Sequence, residues 1–333
     1  MEENNGKPLI VVIGAGTFGT ALANAFSKNP DIVVRLLSIE TEVVESINQK
    51  GVNTVYFPNI QLFPQLKATT NNNILRKASA ILLAIPSSAI ISYLDSLKEF
   101  IPEDAIIVNL AKGFGEGEVI ISQYIAENYM NPVAAMKGPS FAIEVMNNMP
   151  TGYTFGAENI QHYEQFKPYA QHTNIRFDYT DDILGVELLS IMKNIYSIII
   201  GVVDAHYDSA NVRFLVSTKV FSELRKALIT FGGSAETIFK YCGYGDFLLT
   251  SLNDLSRNRT MGLFIGKGFI KDLVSDNIVL EGKRSLNIFY NILKKEKIVD
   301  FPENEFPILF ELYKLMNKEY DQRKFIYNIV NVY

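Results

Sequence analysis

Gly14, Gly16 and Gly19 stand at the spacing GxGxxG in the stretch GAGTFG, which ends the apolar run LIVVIG and opens a helical pattern. That combination suits a diphosphate. The first glycine makes a tight turn, the second lets backbone amides approach a pyrophosphate, and the third lets helix and strand pack closely. The helix N-terminus then faces the anion, with Thr17 and Phe18 in its first turn. After the next β-branched run the chain reads LLSIE, so Ser38, Ile39 and Glu40 occupy the place where adenosine-ribose specificity is set. Glu40 can accept hydrogen bonds from a ribose diol, whereas a 2′-phosphate asks for Arg or Lys. The expected cofactor is NAD, with NADP as the alternative.

Further polar groups stand where ligands are bound or protons moved. Lys112, in AKGFGEG, follows the run Ala105–Leu110, at the carboxyl edge where open α/β sheets take ligands. KGPSFAIEV places Gly138, Ser140 and Phe141 at the entry to a helix after another strand. In GVELLSIMKNIYSIIIGVVDA, Glu187, Ser190, Lys193, Asn194, Ser197, Gly201 and Asp204 fall within about 120° of a helical wheel, and the rest of the surface is apolar. Such a helix is mostly buried, so Lys193 faces a cleft, meets a rim of solvent or pairs internally with a neighbouring carboxylate such as Glu187 or Asp204. GYGDFLLTSLNDLSRNR gathers Asp246, Thr250, Ser256, Arg257, Asn258 and Arg259. Ser256 at a helix start, followed by Arg257 and Asn258, suits a phosphate through free N–H groups, the helix dipole and a charged fork. The competing role for Arg257 is a surface salt bridge.

The elements that must carry these groups follow from hydrophobic periodicity. Strands are predicted at Leu9–Gly14, Ile32–Leu37, Ala80–Ile85, Ala105–Leu110, Pro132–Met136, Thr151–Gly156 and Asn174–Tyr179, alternating with helical patterns at Phe18–Ser27, Thr41–Asn48, Ser88–Phe100 and Glu118–Asn128. This is the βαβ rhythm of a parallel sheet. Beyond Asp181 helical patterns dominate: Val186–Val203, Val212–Phe231, Thr260–Lys271, Glu281–Lys295 and Phe306–Asn317. The expected fold is α/β, a Rossmann-type doubly wound sheet over residues 1–180 followed by an all-α domain over 181–333 that binds substrate.

Composition narrows the classes of function. With 333 residues and 48% hydrophobic content the chain can bury a sizeable core and divide into two domains. A net charge of -5 and a pI near 5.4 argue against a nucleic-acid or anionic-membrane binder, so any phosphate must be met locally. The start, MEENNGKPLIVVIG, reads as neither a signal nor a transit peptide, and no apolar run reaches the roughly 18 uncharged residues that a spanning helix needs. Cys242 is the single cysteine and excludes an intrachain disulfide, in keeping with a reducing cytoplasm. His162, His172 and His206 lack metal-ligand spacing, and no metal site is expected.

With these residues in view, the chain resembles the NAD(P)-dependent glycerol-3-phosphate dehydrogenases of the bacterial type. The matching motifs run in order over nearly the whole length: GAGTFGTALA, NTVYFP at Asn53–Pro58, AIPS at Ala84–Ser87, AKG, GPSFAIEV, GVELLSIMKN, GYGDFLLT, SRNRTMG and Glu281–Gly282. The resemblance implies that Lys193 is the catalytic lysine, assisted by Lys112 and Asp246. It implies substrate contacts from Lys112, Gly138, Ser140, Asp246, Ser256, Arg257 and Asn258. Arg257 and Lys112 would also reach the cofactor, whose site Ala142 and Glu281 would line. The implied activity is hydride transfer to a small phosphorylated substrate, dihydroxyacetone phosphate, feeding glycerophospholipid synthesis, by a cytoplasmic homodimer with no membrane insertion. The alternatives are the same chemistry on another phosphorylated or anionic hydroxyketone, and an NAD-binding module without turnover.

The departures from the family pattern are specific. Leu189, Ser190 and Ile191 precede the lysine where small residues are usual, and AHYDSAN at Ala205–Asn211 stands in place of a glycine-rich loop. Lys219 and Val220 replace Arg-Gly, Lys137 replaces a small residue before GPS, and Ile143 stands where Lys is frequent. These changes are expected near the substrate pocket or its supporting residues. Ile39 replaces an arginine common in the bacterial enzymes, which agrees with the preference for NAD.

Overall fold

The computed structural model describes residues 6–269, 277–295, 300, 302–317 and 321–333, with the backbone alone at 277–281 and 295. The chain divides into two compact units, Met1–Glu187 and Leu188–Tyr333. The division falls inside a helix rather than at residue 180.

The first unit is built on β1 (Leu9–Ile13), β2 (Val33–Leu37), β3 (Lys67–Thr69), β4 (Ala80–Leu83), β5 (Ile106–Asn109), β6 (Val133–Lys137), β7 (Thr151–Gly156) and β8 (Ile175–Thr180). They form one sheet in the order β3-β2-β1-β4-β5-β6-β7-β8. All pairs are parallel except β6 with β7, which is antiparallel. Two expectations change here. The three-residue strand KAT carries too little apolar pattern to be read from sequence, and the sheet is mixed because β7 reverses direction. The helices are α1 (Thr17–Phe26), α2 (Thr41–Lys50), α3 (Ile90–Ser96), α4 (Ile121–Asn128), α5 (Ala142–Met146) and α6 (Ile160–Phe166). The pattern at 88–100 is not one helix: 3₁₀ turns at Ser87–Ala89 and Lys98–Phe100 flank α3.

All five residues of β1 are buried, because both sheet faces are covered. Ile10 and Val12 point into one apolar cluster with Leu22 and Phe26 of α1, while Leu9, Val11 and Ile13 point into another with Leu94 and Ile125. Alternation along a single strand thus anchors helices on both sides, and the first glycine turn leaves the strand at the point where the chain's course around the sheet reverses.

The second unit is helical: α7 (Ile183–Asp204, whose first turns belong to the first unit), α8 (Ala210–Thr230), α9 (Asp246–Leu252), α10 (Arg257–Gly266), α11 (Asn277–Lys295), α12 (Pro302–Glu305), α13 (Pro307–Met316) and α14 (Gln322–Tyr327). The expected helix Thr260–Lys271 is α10, which starts three residues earlier on its Ser256 cap; Lys271 lies outside the described residues. By length and composition α7 could cross a bilayer, yet 94% of its apolar window is buried in the protein. It is a core helix. α7 and α10 meet through glycines: a Cβ on Gly201 would come within 2.1 Å of the Arg259 carbonyl, and one on Gly262 within 2.1 Å of the Ile198 carbonyl. Buried Glu223 of α8 accepts hydrogen bonds from the backbone N–H groups of Ile308 and Leu309, 2.8 Å each, and from Tyr196 Oη at 2.9 Å, so one carboxylate caps α13 and ties it to α7.

Candidate active site

In the first unit the GAGTFG turn is shaped as its glycines require. Gly14 has φ +105°, which side chains rarely tolerate, and a Cβ on Gly19 would lie 2.0 Å from the Gly14 carbonyl. Gly16 differs: nothing lies within 4 Å of where its Cβ would be. That open space sits at the N-cap of α1, where no side chain caps the helix. Exposed Thr17 and half-buried Phe18 follow in the first turn. The turn is braced by Asn53, whose fully buried side-chain amide donates to the Ala15 carbonyl at 2.9 Å and to Thr20 Oγ1 at 2.8 Å. The sequence offered Asn53 only as part of NTVYFP, without this role.

A cavity of about 660 Å³ opens beside this turn, lined by Gly14, Gly16, Ser38, Ile39, Glu40 and Tyr56, with Ala84–Pro86 and Tyr93 across from them. Ile39 is 79% exposed. Glu40 is exposed, and Tyr56 Oη donates to its Oε1 at 3.4 Å. Burial, then the Glu40 charge, pushes the Tyr56 hydroxyl above its ordinary range. The uncapped helix start, the Cβ-free space at Gly16 and an apolar slot ending in a carboxylate fit a dinucleotide. Arg35, midway along β2, donates to the Val34 and Gln65 carbonyls.

At the carboxyl ends of β5 and β6 the structure brings together Lys112, Gly138 and Ser140. Lys112 Nζ donates to the Gly138 carbonyl at 3.2 Å and Ser140 Oγ to the same oxygen at 3.0 Å. Lys137 Nζ reaches back to the carbonyls of Asn109, at 2.9 Å, and Ala111, at 2.6 Å. Asn109 accepts from the Ala111 N–H at 3.0 Å and donates to Glu187 Oε1 at 2.5 Å. Ala142 begins α5, and Ile143 beside it is 40% exposed.

In the second unit Lys193 is 3% exposed; its Nζ donates to Asp246 Oδ1 at 2.8 Å and to Thr250 Oγ1 at 2.7 Å. Asp246 and Thr250 lie one turn apart on α9, so a single helix face presents both. The carboxylates of α7 are engaged elsewhere, which corrects the expected alternative pairing of Lys193. Glu187 binds Asn109 and the Ser122 N–H, and Asp204 binds Arg213 at 2.7 Å and Arg259 at 2.8 Å.

Ser256 Oγ accepts from the Arg259 N–H at 3.3 Å and caps α10. Arg257 is exposed in the first turn of α10 and Asn258 is half-buried, beside Gly282 of α11. Arg259, in contrast, is buried in ion pairs with Asp204 and Asp254 and is structural. Lys219 donates to the carbonyls of Ile329 and Val330, so its charge serves the C-terminal turn and not a substrate. The backbone of Glu281 lies on α11, and its side chain lies outside the described residues. Among the described residues no group of three or more His, Cys, Asp or Glu side chains is placed to hold a metal ion.

The N-terminal model of the NAD-dependent glycerol-3-phosphate dehydrogenases matches residues 9–163, and their C-terminal model matches residues 182–327. The chain belongs to the NAD-dependent glycerol-3-phosphate dehydrogenase family. A glycerol-3-phosphate dehydrogenase [NAD(P)+] from Methanothermobacter thermautotrophicus is 33% identical over 315 residues, 93% of this chain and 94% of that protein. One from Clostridium acetobutylicum is 32% identical over 326 residues, 96% of each. The crystal structure of the Coxiella burnetii glycerol-3-phosphate dehydrogenase superposes with a TM-score of 0.84 at 28% identity, covering 98% of this chain and 99% of that one. Both units of this chain thus lie within one family pattern, from the glycine turn to the SRN helix.

Proposed function

We propose that the protein catalyses reversible hydride transfer between NAD(P)H and dihydroxyacetone phosphate, giving sn-glycerol 3-phosphate, a precursor of glycerophospholipids. The observation that carries this reading is the buried Lys193 ammonium held by Asp246 and Thr250, in a family named for that reaction.

NAD(H) supplies or accepts the hydride when bound. On this reading Gly14, Gly16, Thr17, Phe18 and Gly19 hold its pyrophosphate, and Ile39 and Glu40 meet its adenosine ribose. Lys112, Ala142, Arg257 and Glu281 are assigned to the same cofactor on their match to the family's motifs. Lys193 donates the proton to the developing alkoxide as general acid and removes it in reverse. Asp246 and Thr250 orient the Lys193 ammonium. Lys112 polarises the substrate's carbonyl oxygen, while Gly138 and Ser140 close the pocket beside it. Ser256, Arg257 and Asn258 clamp the phosphate with the helix N-terminus and a guanidinium fork. Glu40, and the absence of a basic residue at Ile39, support NAD over NADP.

The reading extends to a homodimer working in a reducing cytoplasm, in keeping with the buried thiol of Cys242. Loss of NADH absorbance on addition of dihydroxyacetone phosphate tests the activity. A panel of other phosphorylated and unphosphorylated hydroxyketones tests the substrate.

A further inference from the structure

Lys137 ends β6 and is 1% exposed, among the most deeply buried large side chains of the protein. A buried ammonium is costly unless its protons are matched by acceptors. Here the match is specific. The stem crosses from the carboxyl end of β6 to that of β5, and Nζ binds the Asn109 carbonyl at 2.9 Å and the Ala111 carbonyl at 2.6 Å. Ala111 is gripped on both sides, since its N–H donates to Asn109 Oδ1 at 3.0 Å. The next residue, Lys112, reaches the opposite way, to the carbonyl of Gly138, the residue after Lys137. Two lysines thus close a ring: 137 to 111 through one side chain, 112 to 138 through the other, with a peptide bond completing each end. Asn109 is held in turn by buried Glu187, whose Oε1 accepts from its side-chain amide at 2.5 Å.

We propose that Lys137 is a positioning residue for Lys112. It fixes the backbone from which the Lys112 stem leaves, so that the Lys112 ammonium is delivered to one place beside Gly138 and Ser140. A short side chain at 137 cannot span the two strand ends. The role of Lys112 toward the substrate rests on the proposed function; the ring itself does not.

The test is Lys137→Met, which keeps the stem without the donor, with Lys137→Gln as the second variant should the first not fold. Three quantities are read in the holoenzyme: the dihydroxyacetone phosphate KM and kcat, the NADH Kd, and hydrogen exchange of the amides at 110–114. The expected result is a KM raised by about tenfold, the loss of about one hydrogen bond to a charged group. kcat should fall as well, since Lys112 is assigned to the reacting oxygen, the NADH Kd should rise by a smaller factor than the KM, and exchange at 110–114 should be faster. An unchanged KM or an unchanged exchange rate in a folded variant overturns the proposal, whatever the loss of melting temperature. If the wild-type enzyme does not turn over dihydroxyacetone phosphate, the functional reading fails, and the exchange measurement alone decides the ring.

Discussion

Lys193 Nζ and Asp246 Oδ1 are 2.8 Å apart, and their side chains are 4% and 2% exposed. The residue proposed as general acid is thus also a buried ion-pair partner. Removing Lys193 leaves Asp246 buried without this ammonium, at about 3–5 kcal/mol, so lost stability cannot separate the two roles. Turnover per folded molecule can. Lys193→Met should lower kcat by ~10² to 10⁴-fold at temperatures where the variant is folded by circular dichroism. Wild-type turnover from the folded fraction would refute the catalytic assignment.

Arg257 is exposed at the start of α10 while Arg259, two residues on, is buried in ion pairs with Asp204 and Asp254. Arg257→Ala should raise the KM for dihydroxyacetone phosphate by at least ~10-fold, the value of one charge-assisted hydrogen bond. Unphosphorylated dihydroxyacetone should be affected less. Arg259→Ala should instead lower the melting temperature. Equal losses on both ketones would move Arg257 from the phosphate to the fold or the cofactor.

How far the sequence carries is visible in these same residues. The glycine turn, the strands around it and the polar stripe of α7 are local in sequence, and each was legible from spacing alone. The strand Lys67–Thr69 and the reversal of β7 were not, because three residues carry no period and strand direction is set by what the sheet edge accepts. Lys193 stood out as a cation in an apolar helix, yet its partner lies 53 positions away on a helix that the periodicity did not reveal. Asn53, Asn109 and Lys137 were harder still. Asn53 and Lys137 bind backbone carbonyls of distant turns, Asn109 joins the Ala111 N–H to the Glu187 carboxylate, and no side-chain pattern announces that.

On the proposed function, the choice of NAD over NADP rests on one exposed position. Ile39 lines the cavity at the glycine turn beside Glu40, and Arg35, midway along β2, donates to the Val34 and Gln65 carbonyls. Catalytic efficiency should be higher with NADH than with NADPH. Ile39→Arg should shift the ratio toward NADPH by roughly 10-fold or more, given a charge-assisted phosphate contact. An unshifted ratio would mean that this position does not face the 2′-oxygen.

Burial pushes the Glu223 carboxyl up to about 7, against the pull of the Ile308 and Leu309 N–H groups, the Tyr196 hydroxyl and the Lys226 charge. The folded chain therefore holds a proton that the unfolded chain releases near 4.5. This group's contribution to stability is complete below that value, is lost as pH rises toward about 7, and is flat above it. Glu223→Gln removes the titration. Between about pH 5 and pH 8 the wild type should lose roughly 2–3 kcal/mol relative to the variant in urea denaturation. Parallel stability curves would show that Glu223 does not titrate in that window.

The most direct measurement is steady-state oxidation of NADH by the purified protein with dihydroxyacetone phosphate, set against dihydroxyacetone under the same conditions. Saturable turnover is expected, with kcat/KM for the phosphorylated ketone at least ~100-fold higher, since Ser256, Arg257 and Asn258 have no partner on the unphosphorylated one. Bound NADH with no oxidation above background for either ketone would contradict the account.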